Sequence, residues 1–215
     1  MTRIPLVLRL KKESYRRIAE AQDILVETLY NVFNDAVFHG GTAIWRCYKS
    51  NRFSDDIDFY LVKDIKKIDK FYALLKNKGF SIEKRKIGEN SIYSTLKIAN
   101  TLVRFEALFK KINCVLAEYE KMDGNYTTVY TLTPEELIRE KVEAYLKRLK
   151  VRDLYDIFFL LRHINNISSI QKDLNKLLNN FKNPKDEKEL KVLIIEGLVP
   201  SVEDIISYIK RKKGD

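Results

Sequence analysis

The sequence predicts an α+β fold, in which a small mixed β-sheet with flanking helices is followed by a C-terminal helical bundle. Short β-type runs fall in the first half of the chain, between Ile57 and Leu108. From Thr133 onward almost every segment carries apolar residues at helical spacing. A length of 215 residues, against a common domain size of about 150, suits one large domain or a compact pair. The change of periodicity places the boundary between an α+β domain over 1–131 and a helical domain over 132–215.

The elements follow in order. Lys11 to Asp35 sets Ile18, Leu25, Leu29 and Val32 at helical spacing among charged residues, as a long amphipathic helix does. Ala36 to Phe38 is a short apolar piece that runs into Gly40-Gly41-Thr42, and Ala43 to Lys49 reads as helix. Ile57 to Val62 reads as a strand entered from the polar turn Ser50 to Ser54. Ile65 to Lys78 is helical and stops at Gly79, a left-handed cap. Ser81 to Ile87, Ser91 to Ile98 and Thr101 to Leu108 are β-type runs joined by turn residues at Gly88-Glu89-Asn90 and Asn100. Val115 to Tyr130 fits neither period cleanly. Thr133-Pro134-Glu135-Glu136 is a capping box with proline at the first helical position. Helices are then expected over Glu135 to Lys150, Arg152 to His163, Ile167 to Phe181, Asp186 to Ile195 and Ser201 to Lys212.

Composition narrows the class. Apolar residues make up 45% and charged residues 33%, with seven Gly and four Pro, which excludes collagen-like and disordered chains. No run of about 18 apolar residues occurs, and Met1 to Arg9 lacks the pattern of a secretory signal, so a cytoplasmic protein with no membrane partner is expected. Cys47 and Cys114 are too isolated for a disulfide framework or a zinc site, and both thiols are expected to be buried and reduced. Lys and Arg number 40 against 30 Asp and Glu, a net charge of +10 that favours polyanions such as RNA but also accompanies plain solubility.

The densest chemistry lies in Phe38-His39-Gly40-Gly41-Thr42 and Arg52-Phe53-Ser54-Asp55-Asp56-Ile57-Asp58-Phe59. Two glycines between a strand end and a helix start let backbone amides approach a phosphate closely. On a strand, residues i and i+2 share a face, so Asp56 and Asp58 project together while Ile57 and Phe59 enter the core. Side by side, two carboxylates repel unless a cation lies between them, and paired carboxylate oxygens suit Mg²⁺. The alternative is an ordinary solvated strand face salt-bridged to lysines. A phosphate cradle beside a carboxylate pair is the apparatus of phosphoryl or nucleotidyl transfer. His39 reads as a packed strand-end residue, His163 as a helix-end cation and Lys210 to Lys213 as a frayed basic tail.

Gly40-Gly41-Thr42-Ala43 with Arg52 to Phe59 resembles the signature of the AbiEii/AbiGii toxin family, a branch of the DNA polymerase β-like nucleotidyltransferase superfamily that also includes the MenA-type toxins. A second block, Lys141-Val142-Glu143-Ala144, Arg148 and Arg152-Asp153-Leu154-Tyr155-Asp156-Ile157, is similar to the family's downstream Lys and Arg-Asp-x-x-Asp motifs. Independently of the family, Lys141, Ala144, Tyr145 and Arg148 form one helical stripe with a cation at each end, able to hold a triphosphate. Asp153 and Asp156 share one side of the next helix. An ion-pair network between the two helices is the competing reading.

The resemblance implies a nucleotidyltransferase core and a transfer of a nucleotide from a nucleoside triphosphate to an RNA acceptor such as tRNA, with Mg²⁺ or Mn²⁺. The setting it implies is a toxin–antitoxin or phage-defence pair with a separately encoded antitoxin. Asp56, Asp58, Lys141, Asp153 and Asp156 are then the expected catalytic residues. Gly40, Gly41, Thr42, Arg52, Ser54, Lys141 and Arg148 are expected to bind nucleotide, in a cleft completed by the helical domain. Asp56, Asp58 and a third carboxylate on an adjacent strand are expected to hold metal. Glu106 in Leu102-Val103-Arg104-Phe105-Glu106-Ala107 is the candidate, with Glu118 in reserve. Modification of a protein, or a catalytically silent nucleotide- or RNA-binding module, are the alternatives.

Overall fold

A computed structural model of the chain describes residues 4–214; Met1 to Arg3 and Asp215, the outer ends of the two expected domains, lie outside them. The chain forms α1 (Leu6–Arg9), α2 (Glu13–Tyr30), β1 (Val37–His39), α3 (Gly40–Arg46), β2 (Asp56–Leu61), α4 (Ile65–Asn77), β3 (Phe80–Ile87), β4 (Ser91–Ile98), β5 (Thr101–Phe109), β6 (Val115–Glu120) and β7 (Tyr126–Thr131). There follow α5 (Pro134–Arg148), α6 (Val151–Leu160), α7 (Gln171–Asn179), α8 (Leu190–Leu193) and α9 (Val202–Lys213). It divides into one unit of Met1–Cys47 with Ser54–Thr131 and another of Tyr48–Phe53 with Leu132–Asp215. Among the described residues no helix is long and apolar enough to cross a membrane.

The first unit is built on one mixed seven-stranded sheet of order β3-β4-β5-β2-β1-β7-β6. Strand β2 is parallel to β5 and antiparallel to β1, which runs parallel to β7. One face is apolar: Ile57, Phe59 and Leu61 of β2, Val103, Phe105 and Ala107 of β5 and Leu96 of β4 are buried against Leu25 and Leu29 of α2 and Ile68 and Phe71 of α4. Phe38 stacks on Phe59 with ring centroids 4.8 Å apart. The opposite face carries the polar members of the same strands, as the two-residue period requires. Strand β3 contains a bulge between Ile82 and Lys84, one extra residue against β4.

Most predicted elements are present with shifted ends. Helix α3 begins at Gly40 rather than Ala43. The segment from Val115 to Tyr130, whose sequence fits neither period cleanly, forms the hairpin β6-β7, which ends at Thr131. Its alternation is blurred because β6 is an edge strand that leaves Val115 and Leu116 exposed. Cys47 is half-buried, its pKa raised by burial to about 12, whereas Cys114 is exposed; the expectation that both thiols are buried fails for the second. The basic tail is also different from expectation: α9 continues through Lys213, with Arg211 and Lys212 over the Tyr208 ring.

In the second unit, α5 packs on α6 and α7, and α6 and α7 on α9, around Ile138, Val142, Leu154, Ile157, Leu174 and Ile205. The capping box is formed: Thr133 Oγ1 accepts from Glu136 N at 3.3 Å and Glu136 Oε2 accepts from Thr133 N at 3.0 Å. Thr133→Ala should cost about 1 kcal/mol. A urea titration followed by helical circular dichroism would show this as a lowered midpoint, and an unchanged midpoint would deny the cap any weight.

Candidate active site

Each site residue on the sheet is placed by strand register. Asp56 and Asp58 are half-buried on β2, on the face opposite Ile57 and Phe59. In the parallel pairing with β5, Arg104 stands beside Asp56 and Glu106 beside Asp58. Glu118, on the edge strand β6, pairs with Thr128 of β7, so the carboxylate adjacent to the pair is Glu106. On the other flank His39 is opposite Asp58, and its ring stacks on Tyr60 at 4.0 Å between centroids.

The glycines fix this cluster from the side. Gly40 has φ +74°, a conformation that side chains strain to adopt. A Cβ there would lie 2.1 Å from Asp58 Oδ2, so the carboxylate rests directly over the glycine backbone. Gly41 and Thr42 are buried in the first turn of α3. Thr42 Oγ1 lies 2.5 Å from the Asp56 carbonyl oxygen and 3.4 Å from that of Ser54, pinning the entry to β2. Gln22 Nε2 donates to the same Ser54 carbonyl at 2.9 Å.

The electrostatics are those of crowded anions. Burial, then Asp58 and Asp56, raise the pKa of Glu106, against the opposing pull of Arg104 and His39. Arg104 is a residue the sequence reading passed over: its Nε lies 2.5 Å from Asp56 Oδ1 and its Nη2 3.6 Å from Asp55 Oδ2. The i, i+2 rule that paired Asp56 with Asp58 also pairs Arg104 with Glu106, and could have found it. Three carboxylates on neighbouring strand positions are a donor set of hard oxygens suited to Mg²⁺ or Mn²⁺. Among the described residues no group of three or more His, Cys, Asp and Glu is already gathered for a metal. Arg104 is the positive charge that Asp56 now faces.

The helical unit holds a separate network. Arg52, 2% exposed, donates from Nε and Nη2 to Asp156 at 2.7 and 2.9 Å and from Nη1 to the Phe53 carbonyl. Lys141 Nζ lies 2.8 Å from Asp156 Oδ2 and 3.5 Å from Asp153 Oδ1. Arg148, exposed, makes a bidentate pair with the buried Asp153 at 2.7 Å on each arm. Burial pushes the pKa of Asp156 up, but Arg52 and Lys141 reverse this and hold it below the usual carboxylate value. Arg52, Asp156, Lys141, Asp153 and Arg148 are therefore joined in one chain of ion pairs. His163 departs from its expected role as a cation. Partial burial, with Arg162 beside it, lowers its pKa, and its ring meets those of Tyr48 and Phe159.

A sequence model described as the nucleotidyl transferase AbiEii toxin of type IV toxin–antitoxin systems matches residues 23–198. No curated protein matches by sequence. Among solved structures, the fold is similar to MenT4, a nucleotidyltransferase toxin from Mycobacterium tuberculosis, with a TM-score of 0.66 at 16% identity over 94% of this chain and 83% of that one. It is also similar to JHP933 from Helicobacter pylori, with a TM-score of 0.61 at 19% identity over 91% and 90% of the two chains.

The raised pKa of Glu106 makes a prediction about stability. Its contribution is present below the ordinary value of 4.5 and lost as pH rises through the higher folded value. In metal-free buffer Glu106→Gln should match the wild-type Tm near pH 4 and exceed it near pH 7.5. A Tm difference that stays flat across this range, measured by thermal scans, would remove the anion crowding.

Proposed function

Because the chain belongs to the AbiEii nucleotidyl transferase toxin family of type IV toxin–antitoxin systems, we propose that it transfers a nucleotide from a nucleoside triphosphate to an RNA acceptor at Asp56, Asp58 and Glu106. The nucleotidyltransferase class follows from the family. The metal, the residues and the acceptor are our reading. One observation carries it: the register that sets Asp58 beside Glu106, with the Asp58 carboxylate over Gly40.

Asp56, Asp58 and Glu106 would hold Mg²⁺ or Mn²⁺, which when bound neutralises phosphate oxygens and makes the acceptor hydroxyl easier to deprotonate. The acceptor oxygen forms a bond to the α-phosphorus, the bond from that phosphorus to the bridging oxygen breaks, and pyrophosphate leaves. Glu106, the carboxylate beside Asp58, takes the hydroxyl proton. Amides at the start of α3, from Gly41 and Thr42, face the phosphates in this reading. Ser54 contributes by its place at the entry to β2. The family partner would be an antitoxin.

For Lys141 and Arg148 the proposed part is neutralising phosphate charge. Arg52, Asp153 and Asp156 position Lys141 through their ion pairs. The same distances favour a second reading, in which the network serves the fold of the helical unit alone.

The experiment is incubation of the purified protein with Mg²⁺, each labelled nucleoside triphosphate, and total RNA or total protein. Label should enter RNA, and Asp58→Asn should abolish it while leaving the circular dichroism spectrum intact. Wild-type labelling by Asp58→Asn would remove the site, and labelled protein without labelled RNA would replace the acceptor. Lys141→Met should raise the nucleotide KM several-fold and lower Tm, while Lys147→Met, on an exposed face of α5, should do neither. A lowered Tm with an unchanged KM would leave the network purely structural.

A further inference from the structure

The open face of the sheet does not end at the carboxylates. Following the register outward from β2, Asp58 is beside Glu106, Glu106 beside Tyr93 of β4, and Tyr93 beside Lys86 of β3. The next row runs from Asp56 to Arg104, Thr95 and Lys84. Residues in register share a face, so these side chains stand on the carboxylate side. Lys84 and Lys86 are exposed, Tyr93 and Thr95 half-buried, and Lys84 Nζ lies 5.2 Å from the centre of the Tyr93 ring. Lys97 stands one step further along β4, on the same side. The charge of the face therefore changes sign across it, from anionic on β2 to cationic on β3.

The cations reach this side because of the β3 bulge. Before it, Ser81 pairs with Lys97; after it, Lys84 pairs with Thr95 and Lys86 with Tyr93. Arg85, between the two lysines, turns to the helix-covered side, where it pairs with Asp69 at 2.6 Å and lies over the Tyr72 ring. Three inter-strand steps of about 4.8 Å put the backbone of Lys86 roughly 14 Å from that of Asp58, the span of a few nucleotides of an extended strand.

We propose that this face is the track for the acceptor: a single strand of RNA lies across β3, β4 and β5, with phosphates on Lys84 and Lys86, a base stacked on Tyr93, and its terminal hydroxyl at Glu106 and Asp58. The proposal rests on the transfer reading of Asp58 and Glu106 and adds the surface that the acceptor occupies. A strip of lysines beside an aromatic ring on an open sheet supplies the two interactions that bind single strands without sequence preference, phosphate neutralisation and ring–base stacking. Charge selects the occupant: a polyanion gains on β3 and is repelled at the carboxylates, so only its reacting end belongs there.

The test measures binding of a short fluorescent single-stranded RNA by anisotropy at several salt concentrations, in the full chain. Lys84→Glu with Lys86→Glu should weaken binding at least tenfold and flatten the slope of log affinity against log salt by about 1.4, from two phosphates at about 0.7 each. Tyr93→Ala should weaken it about tenfold and Tyr93→Phe should restore it, since the ring rather than the hydroxyl stacks. A charge-matched control, Lys66→Glu with Lys70→Glu on the exposed side of α4, should change the affinity less than threefold. Affinity for a labelled nucleotide should stay within twofold in every variant, which separates acceptor binding from the transfer site. If wild type binds and labels RNA but the β3 and Tyr93 variants bind it equally well, this surface is wrong and the transfer reading stands. Equal losses in the control pair would also overturn it, by reducing the effect to net charge. If wild type binds no RNA even at low salt, the RNA acceptor and the track fall together.

Discussion

The parallel pairing of β2 with β5 is the constraint on which the candidate site depends. It seats Phe59 beside Ala107 and Ile57 beside Phe105 on the buried face, and by the same register Asp58 beside Glu106 and Asp56 beside Arg104 on the other. Burial of the aromatic face is what holds the register, since a slip of one residue would drive both aspartates into the core and Phe59 out of it. The carboxylates repel one another, so they are assembled against their own electrostatics by hydrophobic packing behind them. Gly40 and Thr42 then restrict where the cluster can sit, the first by leaving room for Asp58 and the second by holding the Asp56 carbonyl.

Much of this was legible because it is local. The alternation of Asp56-Ile57-Asp58-Phe59, the glycines at the start of α3 and the Thr133-to-Glu136 capping box each specify their geometry within a few residues, and the family resemblance carried by Gly40 to Ala43, Arg52 to Phe59 and the block from Lys141 to Ile157 agrees with the match over 23–198. The hairpin β6-β7 was not legible, because an edge strand has little buried surface to impose a period. The ion pair from Arg104 to Asp56 depends on strand neighbours far apart in sequence. So does the bidentate pair of Arg52 with Asp156, 104 residues away, which no spacing rule anticipates.

The helical unit shows the other way of keeping charge inside a protein. Arg52, Lys141 and Arg148 alternate with Asp156 and Asp153, so the buried charges each meet an opposite one. Such a chain contributes modestly to net stability because desolvation offsets attraction, yet breaking it at one member leaves an uncompensated charge. Its members are consequently interdependent. Any variant of Lys141 is also a perturbation of Asp153 and Asp156, and kinetic effects there need a stability measurement beside them.

The bulge in β3 acts on the sequence as a parity bit. By accommodating one residue more than β4 opposes, it inverts which side of the sheet every later residue of the strand meets. Closing the bulge with that extra residue kept and paired would not weaken the lysine row by degrees. It would send Lys84 and Lys86 toward the packed side and bring Arg85 out in their place, or else force the strand to slide. Point substitutions can tune the face residue by residue, and deletion of the extra residue would leave Lys84 opposite Thr95 and Lys86 opposite Tyr93 in a regular ladder, whereas pairing that residue with β4 would exchange one face for the other. The identity of the face is therefore set by a single residue that stays out of the ladder.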